Sequence, residues 1–188
     1  MQVDNKTMAM QIEEGKSVLE YFKPITTFVF DVDGVMTDGT VLLLESGLQA
    51  RRMSVKDGLA LQMAMKNGYN VVVISGAYSE PVLKRLQYLG ITEIYLATKD
   101  KLALMTKWKE EKGLQWNQVL YMGDDLPDLP LLQTVGLAAC PADAVMEVKQ
   151  KSHYISTVKG GEGCVRDVIE KVLKLNGHWQ YQTEIVSK

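Results

Sequence analysis

Short apolar runs alternate with segments of helical periodicity along most of the chain. Thr27–Phe30, Asn70–Ile74, Glu93–Leu96, Gln118–Met122 and Gly136–Ala139 are brief and mostly apolar, which predicts buried strands. Between and after them, 57–67, 79–89, 100–112, 126–133, 143–150 and 163–175 predict helices. Gly68, Gly90 and Gly113 stand where such helices stop. Asp57 is the expected cap of the first.

Strands alternating with helices argue an α/β fold, a doubly wound Rossmann-like sandwich with a parallel sheet covered on both faces. Residues 40–44 and 48–53 flank Glu45-Ser46-Gly47, which predicts a β-hairpin inserted after the first core strand. Ile12, Val18, Leu19 and Phe22 have roughly helical spacing and Pro24 ends the segment. Residues 1–24 are therefore expected to form a helical extension, 25–175 the main domain, and 176–188 a tail that is mobile or held by a partner.

The chain has 188 residues, enough for one such domain with a real core. Its net charge of −2 offers no general attraction for nucleic acid or an anionic membrane. No apolar run is long enough to span a bilayer, and the polar start does not read as a signal peptide. Cys140 and Cys164 are too few and too far apart for a disulfide framework or a zinc site. The expected location is cytoplasmic.

Candidate chemistry sits at the ends of the predicted strands, where ligands bind in such folds. Asp31 and Asp33 are two apart, so on extended backbone both carboxylates face one way. Such a pair suits a divalent cation, or a nucleophile beside an acid–base group. Ser75-Gly76 offers a hydroxyl and a free amide for a phosphate oxygen. Lys101, near a helix start, offers a point cation. Asp124 and Asp125, in Gly123-Asp124-Asp125-Leu126-Pro127-Asp128, read as hard-metal ligands. Asp128 reads as an acid at a helix start. Together these are the parts that phosphoryl transfer needs.

The run Asp31-Val32-Asp33-Gly34-Val35-Met36-Thr37-Asp38-Gly39, with Ser75, Lys101 and Gly123-Asp124-Asp125 in that order, resembles the four motifs of the haloacid dehalogenase superfamily. The hairpin, Val55-Lys56-Asp57-Gly58 and Gly160-Gly161-Glu162-Gly163 narrow the resemblance to a capless branch. That branch contains phosphatases for 3-deoxy-D-manno-octulosonate 8-phosphate and for a nine-carbon keto-deoxy sugar acid 9-phosphate. It implies no cap domain, Asp31 as nucleophile and Asp33 as acid–base. It implies Mg²⁺ held by Asp31, the Asp33 carbonyl, Asp124 and Asp125, and phosphate gripped by Ser75, Gly76 and Lys101. The expected substrate is a sugar-acid phosphate, met further by Thr40, Arg51, Lys56, Asp57 and Arg85. The resemblance also implies a homotetramer built through the 40–53 hairpin, with Gly160–Gly163 near a neighbour's site. One departure stands out: Ala77 occupies the place where the branch carries Arg or Glu.

Two other readings compete. A phosphorelay receiver has similar parts, but its phosphorylated Asp follows a later strand. A non-catalytic oligomerisation module would not be expected to retain all four elements.

Overall fold

The computed structural model describes residues 17–180. Eight strands run β1 (Thr27–Phe30), β2 (Leu42–Leu43), β3 (Gln49–Ala50), β4 (Asn70–Ile74), β5 (Glu93–Tyr95), β6 (Val119–Met122), β7 (Leu137–Cys140) and β8 (Tyr154–Ile155). The α-helices are α1 (Val18–Phe22), α2 (Val55–Lys66), α3 (Glu80–Tyr88), α4 (Lys101–Glu111), α5 (Leu129–Leu132), α6 (Met146–Lys149) and α7 (Cys164–Leu175). Six strands form one sheet in the order β5-β4-β1-β6-β7-β8, and every pairing in it is parallel.

The central strands are apolar on both sides because helices cover both faces. Phe28 and Phe30 of β1 pack on one face with Ala60 and Leu61 of α2 and Val168 and Ile169 of α7. Val29 turns to the other face, among Val72, Tyr121, Met105 of α4 and Leu131 of α5. Truncating either fully buried Phe to Ala would cost about 3–5 kcal/mol. No helix among the described residues is long and apolar enough to cross a membrane.

Several elements differ from the sequence expectation. Ser54, not Asp57, caps α2: its Oγ accepts from the Asp57 amide at 3.4 Å, and the helix starts at Val55. Asp57 is buried and accepts from the Arg166 amide at 2.7 Å, tying α2 to the first turn of α7. The expected helix over 126–133 is a 3₁₀ turn at Leu126–Asp128 followed by α5. That over 143–150 shrinks to α6. Edge strand β8 was not expected from the sequence.

Residues flanking the expected domain pack on its core. Phe22 is fully buried, and Tyr21 stacks on His153 with ring centroids 4.9 Å apart. Ile12, part of the expected N-terminal helix, lies outside the described residues. At the other end, His178 Nδ1 lies 2.9 Å from the Tyr69 hydroxyl, and Arg166 sits over the Trp179 ring. The chain itself thus holds residues 176–180, where a free tail or a partner contact was expected.

The hairpin of β2 and β3 stands apart from the main sheet. Its apolar side chains are uncovered: Leu43 is 74% and Leu48 67% exposed.

Candidate active site

Three central strands deliver the acids and the hydroxyl to one end of the sheet. Asp31 follows β1, Ser75 follows β4 and Gly123-Asp124 follows β6. The Asp31 amide still bonds the Met122 carbonyl at 3.0 Å, so the first loop leaves from a fixed point. Residues 32–36 then curl into a wide helical turn broken at Gly34, which has φ +87°. A Cβ on Gly34 would lie 2.0 Å from Asp124 Oδ2. Only glycine lets the first and last acidic loops meet.

Thr37 ties this loop from within: its Oγ1 accepts from the amides of Gly34 at 3.2 Å and Gly39 at 3.3 Å. Gly160 and Gly161 press against the same loop. A Cβ on Gly160 would lie 1.9 Å from the Gly34 carbonyl oxygen, and the Gly161 amide donates to Val35 O at 3.0 Å. The glycine run therefore has a structural purpose within its own chain.

The converging loops line a cavity of about 520 Å³. Its walls include Asp31, Asp33, Ser75, Gly76, Ala77, Lys101, Asp124 and Asp125. Lys101, the first residue of α4, donates from Nζ to Asp31 Oδ1 at 2.8 Å and to Asp128 Oδ1 at 2.6 Å. The Tyr121 hydroxyl donates to the same Asp128 oxygen at 2.6 Å. Asp128 Oδ2 accepts from the amides of Asp124 at 2.8 Å and Asp125 at 3.3 Å. Ser75 Oγ accepts from the Ala77 amide at 3.1 Å, so its own proton can point into the cavity.

Burial pushes the Asp31 carboxyl up to about 6, and neighbouring Asp128 adds to the rise while Lys101 opposes it. Asp124 is pushed up to about 8 by burial, then by Asp31, Asp128 and Asp125. Burial opposes the Lys101 charge, but the two carboxylates it touches outweigh that and raise its pKa. The Tyr121 phenol, fully buried beside Asp128, is held well above its usual range and stays a donor.

This crowding fits a divalent cation. Ligand oxygens of Asp31, Asp124 and Asp128 lie within 4.8 Å of one another. Asp128 already has both oxygens engaged by four donors, which suits an orienting group better than a ligand. Asp124 has no hydrogen bond to its carboxylate among the described residues, which leaves its lone pairs for a metal. The all-oxygen donor set is that of a hard cation such as Mg²⁺.

The remaining expected substrate contacts lie outside this cavity. Thr40 is exposed and bonds Asp38 through both its amide and hydroxyl. Lys56 lines a separate recess beside Glu162 and Glu170. Asp57 is committed to α7. Arg85 borders a third recess with Arg51, Met53 and Pro81. Arg51 meets the site through Asp33, its Nε donating to Oδ1 at 2.5 Å. Sequence reasoning underrated Asp128 and missed Tyr121 and Thr37. Thr37 lies within the first motif, so its signal was present.

Comparison with known proteins agrees with this geometry. The profile of the haloacid dehalogenase-like hydrolase family matches residues 87–169. The 3-deoxy-D-manno-octulosonate 8-phosphate phosphatase KdsC of Yersinia pestis is 34% identical over 156 residues, 83% of each chain. A probable YrbI family phosphatase from Pseudomonas syringae superposes with a TM-score of 0.83 at 36% identity, covering 86% of this chain and 92% of its own. The Moraxella catarrhalis 3-deoxy-D-manno-octulosonate 8-phosphate phosphatase, in complex with magnesium, phosphate and KDO, gives a TM-score of 0.81 at 33% identity, with 84% of this chain and 90% of that one covered. The chain belongs to the haloacid dehalogenase-like hydrolase family.

Proposed function

We propose that this chain is a Mg²⁺-dependent phosphatase for a sugar-acid phosphate, with 3-deoxy-D-manno-octulosonate 8-phosphate as the leading substrate. The observation that carries the reaction class is the meeting of Asp31, Lys101 and Asp124 at the carboxyl end of the sheet. The substrate rests on the likeness to phosphatases that bear that name.

In this reading an Asp31 carboxylate oxygen bonds phosphorus as the bond to the sugar oxygen breaks, giving an aspartyl phosphate. Asp33 gives its proton to the departing alkoxide. The resulting carboxylate then takes a proton from the water that attacks phosphorus and frees Asp31. Lys101 and Ser75 hold phosphate oxygens, with the Gly76 amide beside them. Mg²⁺, held by Asp31, the Asp33 carbonyl and Asp124 with Asp125 in support, would neutralise charge on the transferring phosphoryl group.

The assembly belongs to the same reading. Val41, Leu42, Leu43, Leu44 and Leu48 form an uncovered apolar hairpin, which suits burial in a homotetramer. We place the phosphatase unit at 25–175 and its location in the cytoplasm, where the free thiols of Cys140 and Cys164 are at home.

The test is kcat/KM across the eight-carbon 8-phosphate, a nine-carbon keto-deoxy 9-phosphate and simple hexose phosphates. Preference for the first supports the substrate. Ala77 lines the cavity without a charge, so preference for the nine-carbon acid or a plain hexose phosphate would redirect the specificity and leave the chemistry standing. No hydrolysis of any of them with Mg²⁺ bound would favour a non-catalytic module.

A further inference from the structure

Arg51 and Asp33 are 18 positions apart, yet their side chains meet at 2.5 Å. The Arg51 side chain is 9% exposed and that of Asp33 36%. A guanidinium buried that far needs acceptors close by, and Asp33 Oδ1 accepts from it whether or not Oδ2 carries a proton. The backbone around it is fixed independently. Thr37 and Met53 form an antiparallel bridge, and Arg52 reaches Asp38 at 3.0 Å. Residues 51–53 thus run beside the first-motif loop, with one contact from each of three successive residues. The Arg51 contact occupies Oδ1 and leaves Oδ2 of Asp33 without a hydrogen bond among the described residues.

We infer that Arg51 is a positioning residue that sets the plane of the Asp33 carboxyl and keeps Oδ2 turned to the reacting groups. The inference rests on the acid–base role proposed above for Asp33. In the first half-reaction the proton leaves Oδ2 for the sugar alkoxide as the Asp31–phosphorus bond forms. In the second, Oδ2 takes a proton from water as that bond breaks. Oδ1 stays with Arg51 throughout. Arg51 was expected from the sequence to contact substrate; this assignment makes it act through Asp33.

The test compares Arg51→Met, Arg51→Lys and Asp33→Asn, using 3-deoxy-D-manno-octulosonate 8-phosphate and 4-nitrophenyl phosphate with Mg²⁺. General acid–base groups contribute about 10²–10⁴-fold, so losing the aim of Asp33 is expected to lower kcat about 10–100-fold in Arg51→Met. KM should stay within about twofold, and Arg51→Lys should recover most of the rate because the cation returns. Nitrophenolate needs no proton to leave, so Arg51→Met should release a burst near one equivalent and then turn over slowly at the water step.

A raised KM at unchanged kcat would overturn the inference in favour of a direct substrate contact. Equal loss on both substrates without a burst, with a lowered melting temperature, would overturn it in favour of a purely structural role. Wild-type rates in Arg51→Met beside a crippled Asp33→Asn would sink the inference alone. Full turnover in Asp33→Asn would sink the acid–base reading beneath it.

Discussion

Lys101 Nζ lies 2.8 Å from Asp31 Oδ1, a contact between side chains 70 positions apart. It is buried, and Asp128 shares the same ammonium at 2.6 Å. One cation therefore bridges the candidate nucleophile and a carboxylate that has no room for a ligand of its own.

The bridge makes Asp128 an orienting group with a measurable share in catalysis. Asp128→Asn keeps the shape but drops the charge facing Lys101 and Tyr121. Supporting groups of this kind typically contribute 10–100-fold, so kcat should fall by about that factor, and the melting temperature should fall as well because the buried Asn NH2 faces donors where an oxygen accepted. Wild-type kcat would return Asp128 to the ordinary role of an acid at a helix start.

Cation uptake should release protons. With Asp124 pushed up to about 8 and Asp31 to about 6, Asp124 is protonated at pH 7 in the metal-free protein and Asp31 is mostly ionised. A metal needs both as carboxylates, so Mg²⁺ affinity rises as pH climbs from about 6 to 8. Titration calorimetry at pH 7 in buffers of different ionisation enthalpy should report about one proton released per ion. A heat independent of buffer would show that Asp124 is already ionised in the metal-free protein.

Asp57 predicts a separate pH effect, remote from the cavity. Burial raises its pKa from 3.8 to about 6, with the Arg166 amide and charge opposing. A raised carboxyl contributes stability that is fully present below its unfolded pKa and lost as pH rises through the folded one. The shift corresponds to about 3 kcal/mol, lost between pH 4 and 6. Asp57→Asn retains an acceptor for the Arg166 amide and has nothing to ionise. Chemical denaturation should show a variant more stable than wild type at pH 7.5 and a flatter pH profile from 4 to 6.5. An unchanged profile would mean that Asp57 is already solvated.

Much of this architecture was legible because the signals are local. β1, β4 and β6 are short apolar runs ending at acids or serine, so their order places the motif residues at one sheet end. The features that were not legible depend on distance. Arg51 meets Asp33 only because the hairpin returns along the first-motif loop. Asp128 looks like any acid near a helix start, and its burial arises where the 3₁₀ turn lowers it onto Tyr121. Asp57 offered a cap signal that Ser54, three residues earlier, satisfies instead. Edge strand β8 is two residues long, too brief for any period to show.

Covalent phosphorylation of Asp31 is the step on which the proposed phosphatase chemistry depends. Asp33→Asn should slow the water step without slowing departure of nitrophenolate, so acid quenching that variant with ³²P-labelled 4-nitrophenyl phosphate and Mg²⁺ should trap the intermediate. Peptide mapping is expected to place the label on Asp31, with none in an Asp31→Asn, Asp33→Asn double variant. Label on another residue, or undiminished turnover by Asp31→Asn without any label, would contradict it.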